Sequence, residues 1–129
     1  MDIEFESLAN VADQIKKKTL SPVELTELML QRIASLNPDY HAYTTICEKP
    51  ALDQAKKAAD EIQKGHYLGP LHGVPIAVKD LFQTEGIPTT CASIVKRNWI
   101  PDHDATVVQK LKEAGAIILG KLNMTEFAL

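Results

Sequence analysis

An α/β fold is predicted by three features of this sequence. Before Gly69, apolar residues recur at the one-face spacing of amphipathic helices. After it, two short apolar runs, 74–78 and 116–119, have the length of strands, and between them lies one more stretch of helical periodicity. The second run, Ala116-Ile117-Ile118-Leu119, is apolar at every position, so as a strand it hides both faces and belongs inside a parallel sheet. Strand, crossover helix and strand then form a βαβ unit, expected to be right-handed. Residues 1–68 are thus leading helices and residues 69–129 the first strands and crossover helix of the core, in one incomplete domain.

Ser7 is placed as the N-cap of a first helix whose inner face carries Leu8, Val11, Ala12 and Ile15. Ser21-Pro22-Val23-Glu24 combines a capping serine, a proline at the first helical position and a reciprocal glutamate. Leu25, Leu28, Met29, Ile33 and Leu36 form the expected buried stripe of this second helix, which Asn37-Pro38 is expected to stop. The β-branched and aromatic residues from Tyr40 to Cys47 suggest a short strand. A third helix, from about Pro50 to Lys64, turns Leu52, Ala55, Ala59 and Ile62 inward, and Gly65 closes it.

Gly69-Pro70-Leu71-His72-Gly73 is a turn-rich lead into Val74-Pro75-Ile76-Ala77-Val78. Pro75 has no N–H to donate, so regular pairing is expected from Ile76 onward. Leu81 to Ser93 reads as irregular or hairpin-like, with a turn at Glu85-Gly86. Asp104 is expected to cap a helix that runs through Ala114, buries Val107, Val108 and Leu111, and ends at Gly115. Asn123-Met124-Thr125-Glu126 has the form of a capping box leading into Phe127, Ala128 and Leu129. A single helical turn has little stability alone, and a doubly buried strand needs neighbours on both edges. The chain therefore reads as truncated at Leu129.

Bulk properties exclude several classes. Seventeen acidic against fourteen basic residues give a net charge of −3, without the basic surface of a nucleic-acid-binding domain. No stretch approaches the roughly 18 consecutive apolar residues of a membrane-spanning helix. The acidic start, Met1-Asp2-Ile3-Glu4-Phe5-Glu6, is opposite in charge to a secretion signal. Cys47 and Cys91 match no metal or redox spacing and read as two reduced thiols of a cytoplasmic protein. His41, His66, His72 and His103 show no metal-ligand spacing either, so no metal or other cofactor is expected.

The residue that carries chemistry is Lys79, at the carboxyl end of the run 74–78, where open α/β sheets collect ligands and catalysis. Alternation puts it on the face of small Ala77, leaving room for the side chain to lie inward. A lysine taken from water favours its neutral form and can serve as a general base. A strand-end lysine reaching solvent is the plain alternative. Asp80 falls on the opposite face, with loop or capping duty as its expected role.

Gly69-Pro-Leu-His-Gly-Val-Pro-Ile-Ala-Val-Lys-Asp80 resembles the segment around the catalytic lysine of the amidase signature family. Thr89 to Ser93, Asp104 to Val108, Ala114-Gly115-Ala116, Gly120-Lys121 and Asn123 to Ala128 resemble that family's following blocks, in order, and Ser21 to Asn37 its leading helices. The resemblance implies a large α/β/α layered fold around a mixed sheet, of which this chain holds the N-terminal part. It implies a triad of lysine, serine in a cis peptide and nucleophilic serine, with Lys79 as the lysine and both serines beyond Leu129. Ser7, Ser21, Ser35 and Ser93 fall at no triad position, so the chain alone is expected to be inactive. His72 belongs by the same resemblance to the turn before the strand, a structural place. Asn123 and Met124 match a turn bordering the family's active site and are candidate substrate-binding residues.

A small-molecule amide is the implied substrate. The family divides between stand-alone amidases and the glutaminase subunit of the tRNA-dependent amidotransferase. Thr90-Cys91-Ala92-Ser93 leans toward the glutaminase, and Phe127-Ala128-Leu129 is compatible with general amidases. A reading of another class makes the chain a non-catalytic piece that self-associates or complements a second chain through its open sheet edges. A Schiff-base role for Lys79 is the remaining alternative.

Overall fold

The computed structural model describes residues 3–129. Helix α1 spans Leu8–Lys16, and the Asn10 amide donates to the Ser7 hydroxyl, as the cap requires. Helix α2 spans Pro22–Tyr40 behind a complete capping box, with the Val23 amide on the Ser21 hydroxyl and the Ser21 amide on Glu24. Contrary to expectation, α2 runs through Pro38. The proline sits in the last turn, where its missing N–H removes one bond without a following helix to disrupt. The helix ends on left-handed His41, and the Asn37 side chain takes over by bonding both the N–H and the carbonyl of Tyr43. The buried stripe also shifts: Leu30 is buried, Leu28 is half-buried and Leu36 is exposed.

Strand β1, Tyr43–Ile46, leads into helix α3, Glu48–Gln63. Helix α3 starts ahead of Pro50, which a first turn accommodates because its N–H has no intrahelical partner to lose. Ala51, Ala55, Ala58 and Ile62 make its buried face, while Leu52 and Ala59 are only half-buried. The alanines keep α3 close to its neighbours: Ala51 and Ala55 pack with Leu30 and Ile33 of α2 and with Ile117 and Leu119. A second apolar cluster joins Val11, Ile15, Leu25, Ile62 and Val74.

Strands β2 (Pro75–Lys79) and β3 (Ile117–Leu122) are parallel, and β1 lies antiparallel on the other side of β3. The sheet is therefore mixed and β3 is its middle strand, buried from Ile117 to Lys121. Pairing already includes Pro75, opposite Ile117, because the Val74 carbonyl accepts the Ile117 amide and no proline N–H is needed. Gly120 lies against the Thr45 carbonyl of β1, leaving no space for a Cβ.

Helix α4 is short, Thr106–Glu113, and only Val108 is fully buried; Val107 is exposed and Leu111 half-buried. Asp104 is not its cap. Ala105 takes that position, and the Asp104 carboxylate instead accepts the Glu85 amide and the Lys112 ammonium, both at 2.7 Å. Gly115, at φ +84°, ends the helix against the ring of His72. The expected capping box at Asn123 does not form. The Thr125 side chain makes no cap bond, and Phe127 and Ala128 adopt left-handed backbone after Glu126, which leaves a single tight turn.

Candidate active site

Strand β2 delivers Lys79 to the carboxyl end of the parallel pair, opposite Leu122 and one residue from Asn123. Its main chain is held there: the Asp80 amide donates to the Leu122 carbonyl at 2.9 Å, and the Phe82 amide to the Lys79 carbonyl at 3.0 Å. The side chain is exposed, and among the described residues it makes no hydrogen bond or ion pair. The expectation of an inward, desolvated amine is therefore corrected for these residues. Val78 is buried on one face of β2, whereas Ala77 and Lys79 share a face that the described residues leave partly open.

The buried charges lie one residue further on. Asp80 and Lys121 are both fully buried, with Lys121 Nζ 3.5 Å from the Asp80 carboxylate. Lys121 also donates to the Phe82 carbonyl at 2.9 Å and to the Thr89 hydroxyl at 2.8 Å. Asp80 further accepts the Thr90 amide at 3.3 Å and the Thr90 hydroxyl. The Lys121 ammonium thus has two hydrogen-bond acceptors and the Asp80 carboxylate as its counter-charge. Burial pushes the Lys121 pKa down, and the Asp80 charge and hydrogen bond oppose it. Asp80, in the turn after β2, thus has the expected loop duty, and it performs it as a fully buried anchor of the 89–92 segment. The apolar run 116–119 does not announce the burial of Lys121; the only local signal is a lysine two residues beyond that run, in the same strand.

This cluster supports an irregular segment. Cys91 and Ala92 are consecutive left-handed residues, a conformation that costs a non-glycine residue about 1–2 kcal/mol each. The Cys91 amide donates to the Asp80 carbonyl at 2.9 Å, and the Ala92 amide to the Thr90 hydroxyl at 3.1 Å. Buried Ser93 caps the turn at Ile94–Lys96 and donates to Glu126 at 2.7 Å, tying the segment to the last turn of the chain.

The remaining candidates have structural partners. Asn123 bonds the His41 carbonyl and the Met124 amide, and with half-buried Met124 it borders an open pocket of about 520 Å³ that also includes Tyr40 and Thr125. Lys79 does not line that pocket, so the structure brings these residues to one end of the sheet without joining them in one cavity. Buried His72 accepts the Leu68 amide through Nδ1, which leaves the proton on Nε2 to bond Glu61 at 3.0 Å. Ser35 donates to the Arg32 carbonyl. Cys47 and Cys91 are free and buried, and burial pushes the Cys47 thiol up. Among the described residues no cluster of three or more potential ligands could hold a metal, and no helix is long and apolar enough to cross a membrane.

The mixed sheet is shared with known proteins. The family profile described as Amidase matches residues 24–129, and the chain belongs to that family. It is 43% identical over 129 residues to a glutamyl-tRNA(Gln) amidotransferase subunit of Carboxydothermus hydrogenoformans, covering all of this chain and 27% of the relative. With the corresponding glutamyl-tRNA(Gln) amidotransferase chain of Geobacter metallireducens it shares 50% identity over 117 residues, 91% of this chain and 24% of the relative. The native peptide amidase of Stenotrophomonas maltophilia superposes with a TM-score of 0.89 at 32% identity, over 95% of this chain and 26% of that one. The chain thus spans about a quarter of the length of the relatives it matches. The α/β class and the mixed sheet are those of the amidase structures.

Proposed function

We propose that this chain is the segment of an amide-hydrolysing enzyme that supplies its general base, Lys79. The observation that carries this reading is the place of Lys79 at the carboxyl end of the parallel pair, its main chain fixed by β3 and by the following turn, on a face of β2 that the described residues leave partly open for a further segment to cover and dry. A base must be held in place yet remain accessible to the proton it removes. In the proposed reaction the unprotonated amine takes the proton of a bridging serine, which takes that of the nucleophilic serine. The nucleophile attacks the amide carbonyl, and the tetrahedral intermediate collapses as the returning proton leaves with the amine or ammonia. Water or an acceptor then releases the acyl group. Both serines and the oxyanion donors would come from outside these 129 residues, and without them the chain alone should release no ammonia above background.

The test joins residues 1–129 to the remaining length of the Carboxydothermus relative, then measures release of ammonia or amine from amides. Lys79→Ala and Lys79→Arg should each lower turnover by about 10³-fold or more, arginine failing because it stays protonated. Near-normal turnover in Lys79→Ala would remove Lys79 from the mechanism.

A narrower reading, as part of a glutaminase within an amidotransferase, is favoured by the 43% and 50% identities to relatives bearing the amidotransferase name, against 32% for the peptide amidase. Free glutamine should then be a better ammonia source than simple aliphatic amides in the joined polypeptide. Preference for the simple amides would return the assignment to a stand-alone amidase.

A further inference from the structure

We propose that Asp80 and Lys121 are positioning residues for Lys79: a paired carboxylate and ammonium that lock the peptide following the base and hold the left-handed Cys91–Ala92 turn beside it. The inference rests on the reading of Lys79 as a base.

Three observations lead to it. First, the pair flanks Lys79. Asp80 is its chain neighbour, and Lys121 pairs across the sheet with Val78, the neighbour on the other side. Second, the bonds converge on a small piece of backbone. Asp80 joins the Leu122 carbonyl, the Cys91 amide and the Thr90 amide and hydroxyl, while Lys121 joins Phe82 and Thr89. The Lys79 peptide, the end of β3 and the 89–92 segment thereby become one unit. Third, stability alone is a poor reason to keep such a pair. Two fully buried charges lose their hydration, and well-packed apolar residues of similar volume usually serve the fold equally well or better. A pair retained at the strand end beside a solvent-facing lysine instead fixes the origin from which that side chain reaches. Proton transfer is sensitive to displacements of about 1 Å, so fixing the origin acts on turnover more than on substrate binding.

The test uses the joined polypeptide. Asp80→Asn and Lys121→Met should each lower kcat by about 10–100-fold with KM within about threefold, the signature of misplacement during the chemical step. The double variant should be faster than either single one, because it leaves neither charge unpaired. Thr90→Val should lower kcat in the same way, and Thr90→Ser, which keeps the hydroxyl, should recover it to within about threefold of the parent. Unchanged kcat in both single variants, a loss confined to KM, or Thr90→Ser no better than Thr90→Val would overturn the proposal. Amide exchange separates this failure from that of the base assignment. If Lys79→Ala keeps its turnover, the base reading falls, yet Asp80→Asn should still speed exchange at Thr90 and Cys91 while leaving α2 unchanged. Unaltered exchange at those two amides would sink the clamp on its own.

Discussion

Where α1, α2 and α3 meet, the interior is Val11, Ile15, Leu25, Leu30, Ile33, Ala51, Ala55 and Ile62; where β2 and β3 end, it includes Asp80, Thr84, Thr89, Ser93 and Lys121. The helical region keeps its charges outside, in exposed i,i+4 pairs such as Lys17 with Asp13 and Lys64 with Asp60. Such pairs contribute little, about 0.3–0.5 kcal/mol at best. The strand-end region places a fully buried ion pair beside the proposed base. An apolar interior tolerates exchange of one hydrophobe for another, whereas a buried polar network fails when any one partner is removed. The first kind of interior specifies a fold, and the second fixes the position of particular atoms.

Perturbing each region sharpens that contrast. The largest effect on stability is expected from Lys121→Ala, which strands the Asp80 carboxylate and removes a full side chain; about 3–5 kcal/mol should be lost in urea unfolding of the joined polypeptide. A loss below about 1 kcal/mol would mean that water enters the site and the two regions differ less than their burial suggests. Ile117→Ala, in the apolar cluster, should cost about 2–5 kcal/mol while leaving the Thr90 and Cys91 amides protected relative to the rest of the chain. Gly115→Ala should cost more than about 1 kcal/mol, because φ is +84° and the new Cβ meets the His72 ring 2.5 Å away. Ser21→Ala removes one cap and should cost about 1 kcal/mol. Thr26→Val should be neutral or stabilising, since the buried Thr26 hydroxyl has no partner among the described residues. A clear loss there would reveal a bonded water or polar contact.

The pair also predicts an alkaline signature. Burial lowers the Lys121 pKa in the folded state, so between that value and the unfolded 10.5 the unfolded chain binds more protons. The Lys121 contribution to stability should rise with pH across this window. Cys47 and Tyr43 are shifted up and act in the opposite sense. Lys121→Met should therefore make the fall in stability toward pH 10 steeper than in the parent, as read from urea midpoints. An unchanged slope would place Lys121 outside the titration.

What the sequence determined by itself is what short stretches of chain decide. Ser7 and Ser21 cap the first two helices because the acceptor and its amide lie within three residues of each other. The unbroken run 116–119 becomes the middle strand because no face of it can meet water. Lys79 stands at the strand end by the same local logic. Tertiary structure decided the rest: Asp104 left its helix cap for Glu85 and Lys112, Pro38 stayed helical beside the Asn37–Tyr43 bonds, and Lys121 reached back 39 residues to Phe82. A charged side chain is buried only where distant segments bring enough donors and acceptors to replace its water, and no local pattern records that convergence. The exposure of the Lys79 side chain is decided in the same way, by what covers the open face of β2.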